Sequence, residues 1–402
     1  MNSHIPNWIY GCANLESLSL EYNQLQGNIS NSISNLTSLS FLELTGNNLT
    51  GKIPKQIGNL NKLESLYLSE NKFFGSLPES LGYLVSLTTL TISRNDLSGE
   101  IPDCWMHWPR LNVINMNENK VIGSIPNSIG HLSRLKSLDL HKNMLSGHIP
   151  TSLKNCTHLL KIDLGENAFT GKIPRWLGTQ ISNLTILRLR GNKFYGELPP
   201  EFCHLTSLQI LDLADNNFVG VIPKCLENLN AMIHETISGN NLTGHIPKEM
   251  GNMKLLESLD LSKNKLSGEI PSSFSSLPAL GVLDLSYNNL SGKIPSGTQL
   301  QGFNASCYIG NNLCGLPLPK NCSVDDGQIS KHENEGDDDS DEVDWFYVSM
   351  AIGFAVGFWV TCGSLFLVRS WRIAYFQFLD NKFNSILVWA RVSYNHMFNV
   401  NF

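Results

Sequence analysis

The chain has 402 residues, 42% hydrophobic and 16% charged, with a net charge of −6; the length fits two or three ordinary domains, and the composition excludes a wholly disordered chain. The charge is local: residues 325–344 carry net −9 and residues 369–402 net +3, which leaves residues 1–324 neutral. A neutral main body excludes a nucleic-acid groove, because phosphate binding needs clustered Lys and Arg.

Residues 1–13 open with Met1 and NSHIPNWIYGC, which has neither the basic stretch nor the apolar run of a secretory leader. Ile5, Pro6 and Trp8 look like the tail of an earlier repeat. The expectation is a remnant of a truncated repeat, without an N-terminal cap and with an apolar edge left open.

Residues 14–300 are periodic. The segment 39–54 reads LSFLELTGNNLTGKIP and 280–295 reads LGVLDLSYNNLSGKIP, so the template is LxxLxLxxNxLxGxIP. Its Asn recurs at Asn23, Asn47, Asn71, Asn95, Asn119, Asn143, Asn167, Asn192, Asn216, Asn240, Asn264 and Asn288, every 24 residues apart from one interval of 25. Period and pattern are those of leucine-rich repeats. Each LxLxx stretch predicts a short parallel strand, stacked on the next at about 4.8 Å with alternate leucines inward, so that twelve make an arc roughly 50–60 Å long. The repeated Asn is expected to turn the chain out of the strand and to bond backbone groups that the turn leaves unpaired. The predicted fold is an α/β repeat solenoid with its parallel strands on the concave face. In the tenth copy Met232 and Glu235 replace the expected leucines.

The phrase LTGKIPKQIGNL at 49–60 resembles the plant-specific class of these repeats. That resemblance implies a second, convex-side sheet formed by the IP segment, and a longer non-repeat insertion at the tenth repeat that this chain lacks. Residues 301–323 are read as a C-terminal cap: GTQLQGFNASCYIGNNLCGLPLPKNC at 297–322 resembles the closing cap of plant leucine-rich-repeat receptors. The resemblance implies a Cys314–Cys322 disulfide, hence an oxidising compartment, and Cys307 stands where the family usually has a small residue. Cys203 and Cys225, in adjacent repeats, either pair or remain buried thiols. Cys12 and Cys156 share an inward phase that predicts core packing.

After an acidic juxtamembrane spacer at 324–344, residues 345–368 read WFYVSMAIGFAVGFWVTCGSLFLV, uncharged and long enough to span a bilayer as a helix. Arg369 and Arg372 follow it, which puts the C-terminal side in the cytoplasm. Gly353 and Gly357 form GxxxG, a spacing that lets two helices approach closely. The tail, 369–402, is too short for a kinase, and the chain has no glycine-rich loop, HRD or DFG. The segment AIGFAVGFWVTCGSLFLVRSWRIAYFQFLD resembles the membrane and juxtamembrane part of plant receptor-like proteins, of the ethylene-inducing xylanase receptor type, and the resemblance covers residues 1 to about 380. It implies adaptor and co-receptor kinases as partners, the co-receptor facing the repeats around Asn264 and Asn288, and perception of a microbial product.

Outward strand positions line the expected concave face. Tyr67, Arg94, His141, Lys142, Arg188 and Arg190 are the candidate ligand contacts, for a protein, peptide or glycan, since Tyr and Arg supply much interface energy. Arg188 and Arg190, on one strand, are expected to engage an acidic ligand group. N-x-S/T sequons stand at Asn28, Asn35, Asn48, Asn155, Asn183, Asn241, Asn289, Asn304 and Asn321, all before the apolar segment, although NNL[ST]G is also part of the repeat itself. No catalytic constellation and no cofactor or metal motif emerges: His residues are scattered, CxxC and HExxH are absent, and Asp139, Asp212, Asp260 and Asp284 recur at repeat phase as scaffold does. The function expected is a single-pass plasma-membrane receptor-like protein, its N-terminal side extracellular, acting in plant defence through partner kinases. Two alternatives remain: a truncated, non-signalling decoy or pseudogene product, and a leucine-rich-repeat inhibitor of microbial wall-degrading enzymes.

Overall fold

The computed structural model describes residues 4–322, within one compact unit, Met1–Val324. The expected acidic spacer, apolar span, Gly353–Gly357 pair and tail lie outside the described residues. Among the described residues no helix is long and apolar enough to cross a membrane.

Twelve three-residue strands, from Ser17–Ser19 to Val282–Asp284, form one parallel sheet in sequence order. Equivalent residues pair, as in Leu18 with Leu42, Leu42 with Leu66 and Leu66 with Leu90, so each middle residue stacks on its counterpart and is buried. No single repeat encloses a core; the leucines are covered only by the next repeat, and stability is a sum over neighbours.

The Asn column closes the turn after each strand. Asn71 Nδ2 donates to Leu44 O (2.9 Å) and Ser69 O (3.1 Å), while its Oδ1 accepts the Leu49 amide (3.0 Å), linking two repeats through one side chain. Asn192, Asn216 and Asn264 repeat this arrangement, buried. The column extends one rung beyond the twelve repeats: Asn311 Oδ1 accepts Leu290 N (3.0 Å) and its Nδ2 donates to Leu285 O (2.9 Å).

A second set of parallel strands does form, but from the residues before the IP dipeptide. The strand Asn48–Gly51 ends ahead of Ile53 and Pro54, because Pro has no N–H to give to a ladder. Ten such strands, Gln26–Gly27 to Asn241–Thr243, make one sheet, and Ser267–Gly268, Asn289–Lys293 and Asn312–Cys314 make another. Pro54, extended, instead leads into the 3-10 helix Lys55–Asn59. There Gly58 is required by close approach, since a Cβ would run into the carbonyl of Ser80 in the next repeat. The one 25-residue interval is absorbed at this point: Trp176–Gln180 is a turn of α-helix where most neighbouring repeats have a 3-10 helix.

Phe169, Phe194 and Phe218 replace the Leu after the Asn in three successive repeats and stack at 6.4 and 6.5 Å between centroids. Cys203–Cys225 form a disulfide, Cα atoms 5.5 Å apart, tying two adjacent repeats. Cys314–Cys322 close the cap, as the resemblance implied. Cys156 is buried and its thiol reaches Ile129 O (3.2 Å), whereas Cys12 is exposed, contrary to its inward phase. The reason is position: no described repeat stands before it, and Trp8, Ile9, Cys12, Leu15 and Leu18 line an open apolar cleft of about 380 Å³ there.

Candidate functional site

Of the six candidates, Tyr67 and Arg188 end strands of the twelve-stranded sheet, whereas Arg94, His141, Lys142 and Arg190 stand in the turns that follow. Arg190 is therefore not on one strand with Arg188, because that strand, Ile186–Arg188, ends before it, and the six fall into three groups. Tyr67 packs beside Phe41 of the neighbouring strand, ring centroids 5.5 Å apart. Among the described residues it shares no ion pair or hydrogen bond with the charged candidates.

Arg94 and Lys142 occupy the position just before the repeated Asn. The turn needs a left-handed residue there, and Glu70, Arg94, Glu118, Lys142 and Glu166 all adopt φ between 51° and 55°, a conformation uncommon outside glycine. The shared backbone places charges of alternating sign one repeat apart. Arg94 Nη1 meets Glu70 Oε1 at 2.9 Å and its Nε meets Glu118 Oε1 at 3.0 Å; Lys142 Nζ stands 3.5 Å from Glu118 Oε2. Hydrogen bonding and charge from Arg94 hold the Glu118 carboxyl below its ordinary value, and hydrogen bonding and charge from Glu118, then Glu70, raise the Arg94 guanidinium. Arg94 and Lys142 are thus rungs of an exposed ion ladder, each pair worth about 0.2–1 kcal/mol.

His141, Arg188 and Arg190 belong to a third, denser group, organised by aspartates that end their strands. The repeat dictates half of each aspartate's role: one oxygen accepts the amide two residues on, as in His141 N to Asp139 Oδ1 (3.3 Å), Gly165 N to Asp163 Oδ1 (3.2 Å) and Ala214 N to Asp212 Oδ1 (3.2 Å). The second oxygen faces the cations. Lys161 Nζ lies 2.7 Å from Asp139 Oδ2, Arg188 Nη1 3.5 Å from Asp163 Oδ2, and Arg190 Nη1 4.0 Å from Asp212 Oδ2, with Arg190 Nη2 3.1 Å from Asp215 Oδ2. His141 Nδ1 is 3.7 Å from Asp163 Oδ1. Asp139 and Asp163 are buried. Burial, then the neighbouring Asp139 charge, raises the Asp163 carboxyl against the pull of Lys161 and His141; burial likewise raises Asp212. Beside the two arginines, Ile186 and Ile210 pair across their strands and remain half-buried.

Reading by periodicity singled out Arg188 and Arg190 but assigned Asp139 and Asp212 to scaffold alone and passed over Lys161 and Asp163. The usable signal was charge in register: Lys161, Asp163, Arg188 and Asp212 occupy outward positions of consecutive strands. Among the described residues no group of His, Cys, Asp and Glu could hold a metal ion. Of the sequons, Asn28, Asn35, Asn155, Asn183, Asn289, Asn304 and Asn321 are exposed, and Asn48 and Asn241 half-buried.

Leucine-rich-repeat profiles match residues 5–49 and 236–290, and, for a second profile of the same description, 62–84, 86–108, 134–156, 183–205 and 207–229. The chain belongs to the leucine-rich-repeat family. It is similar to receptor-like protein EIX2 of Solanum lycopersicum, 42% identical over 103 residues, a match covering 24% of this chain and only 10% of that protein. Among solved structures it is similar to the plant peptide hormone receptor RGFR1 in complex with RGF2, at TM-score 0.68 and 35% identity, over 78% of this chain and 54% of that one. The fold is not confined to plants; a leucine-rich-repeat protein of Leptospira interrogans matches at TM-score 0.62 and 30% identity, over 78% of this chain and 77% of that one.

Proposed function

We propose that this chain is the ligand-reading part of a cell-surface receptor-like protein, which binds a peptide or other microbial product on the outer face of its strand sheet and signals in plant defence through adaptor and co-receptor kinases. The observation that carries this reading is the group around Arg188 and Arg190. Two guanidinium groups, about two-fifths exposed, are held by Asp163, Asp212 and Asp215 beside half-buried Ile186 and Ile210. Acidates already in place orient a fork of donors without neutralising all of it, and an apolar strip beside that fork suits a ligand with one acidic and one apolar group. A peptide hormone receptor among the structural neighbours supports a peptide as the ligand class. Plasma-membrane placement rests on the apolar segment 345–368 and the exposed sequons.

Two measurements test the reading. The full chain, expressed in plant cells, should gain mobility on N-glycosidase treatment; an unshifted band would remove the extracellular placement. Binding to short peptides carrying Asp and Glu, compared with the same peptides carrying Asn and Gln, should favour the acidic set. The preference should fall by about tenfold or more in an Arg188→Ala, Arg190→Ala double variant, as loss of one interface anchor implies. Unchanged affinity in that variant would remove the assigned site.

A further inference from the structure

The middle residue of each strand in the twelve-stranded sheet points into the core, and eleven of the twelve are Leu or Ile. The other is Glu235. It lies in register between Leu211 and Leu259, is 0% exposed, and neither carboxyl oxygen has a hydrogen-bond partner.

Among the described residues nothing charged faces it. On its own strand His234 and Thr236 alternate to the outer face, and so do Asp212 and Asp260 on the two flanking strands. From the opposite side, the 3-10 helices Lys224–Asn228 and Lys248–Asn252 turn Leu226 and Met250 inward. Their Lys224 and Lys248 are exposed, and their Glu227 and Glu249 are only half-buried. Cys203 and Cys225 are paired and do not titrate. A second observation falls at the same place: the long lateral sheet ends at Asn241–Thr243, and the next strand, Ser267–Gly268, joins it through the single bridge His245–Ser267.

We propose that the tenth repeat is a proton-controlled joint: with Glu235 protonated the stack is continuous, and loss of that proton loosens His234–Thr236 from its two neighbouring strands. The joint separates nine strands before it from two strands and the cap after it. A neutral carboxylic acid in an apolar site costs a lost hydrogen bond, whereas a carboxylate there has neither partner nor solvent. Burial accordingly pushes the Glu235 carboxyl up to about 7. The unfolded repeat gives up the same proton near the ordinary value of 4.5, so between these two pH values the folded form holds more protons and loses stability as pH rises. Acid closes the joint and neutral pH weakens it, the reverse of the usual carboxylate.

The test is hydrogen–deuterium exchange of the full chain between pH 5 and 8, corrected for intrinsic exchange, for the wild type, Glu235→Leu and Glu235→Gln. Protection of residues 229–245 in the wild type should fall by on the order of a hundredfold relative to the first repeats as pH rises, the size that a shift of this extent implies. Both variants should show no such fall, with Glu235→Leu the better protected at every pH. Wild-type protection that stays level across the range overturns the proposal whether or not the variants fold, and so does an equal fall in either variant.

Discussion

Asp163 binds Arg188 and the scaffold with different oxygens: Oδ2 faces the guanidinium at 3.5 Å, while Oδ1 accepts the Gly165 amide at 3.2 Å. The division separates a structural role from a binding role within one side chain. Asp163→Asn keeps the acceptor for Gly165 and removes the charge, so it should leave the denaturation midpoint almost unchanged. Asp163→Ala leaves a buried amide unpaired and should cost about 1–3 kcal/mol. Denaturant titration of both variants checks this; equal losses would mean that charge, not the amide bond, is what the fold needs.

The Asn column should be unequal along its length. Asn216 donates to Leu189 O, Leu213 O and Ala214 O and accepts Phe194 N, all at 3.0–3.2 Å. Asn23, at the first rung, is exposed and reaches only carbonyls of its own turn, Leu20 O and Glu21 O. Asn216→Leu should cost about 3 kcal/mol or more, as several buried backbone groups lose partners. Asn23→Leu should cost less than about 1 kcal/mol. Thermal unfolding of the two variants side by side gives the comparison, and similar losses would contradict the ladder as a cross-repeat tie.

The exposed ladder makes a prediction about titration more than about stability. Arg94 holds the Glu118 carboxyl down, so Arg94→Ala should move the Glu118 titration upward, which an NMR pH titration reads directly. A carboxyl depressed in the folded state contributes stability above its unfolded value of 4.5, lost as pH falls through the folded value. The Arg94→Ala variant should therefore match the wild type more closely in acid than at neutral pH. High salt should shrink the difference too, since these charges are exposed.

How much of this was legible in the sequence follows from what kind of fact each residue carries. Strand, turn and helix recur every 24 residues because each repeat must cover the last, so Leu42, Asn71 and Pro54 announce their roles by phase alone. Arg188 and Arg190 were legible as outward residues for the same reason. Asp163 was not: it was passed over at a phase where Asp139 and Asp212 read as scaffold, and one of its oxygens is scaffold; only the geometry shows where the other points. Asn311 was hidden by an interval of 23 residues from Asn288, although YIGNNLCG at 308–315 carries the repeat's own NxLxG phrase. The strand from that phrase, Asn312–Cys314, pairs with Asn289–Lys293. Cys12 misled because phase assigns a side, whereas burial also requires a neighbour.

The cap depends on a buried hydroxyl. Tyr308 is 0% exposed, and its Oη donates to Leu300 O at 2.6 Å, joining the 3-10 helix Ala305–Tyr308 to the α-helical turn Thr298–Gly302. Burial raises the Tyr308 phenol well above its ordinary value, so it remains a donor through the alkaline range. Tyr308→Phe preserves the packing and leaves the Leu300 carbonyl unpaired, at a cost of about 1–2 kcal/mol. In a solenoid that loss should stay local, because each repeat is stabilised by its neighbours. Exchange of the Asn312–Cys314 amides should quicken in Tyr308→Phe while that of Phe41–Glu43 stays as in the wild type. Acceleration along the whole chain would show instead that the cap governs the stack cooperatively.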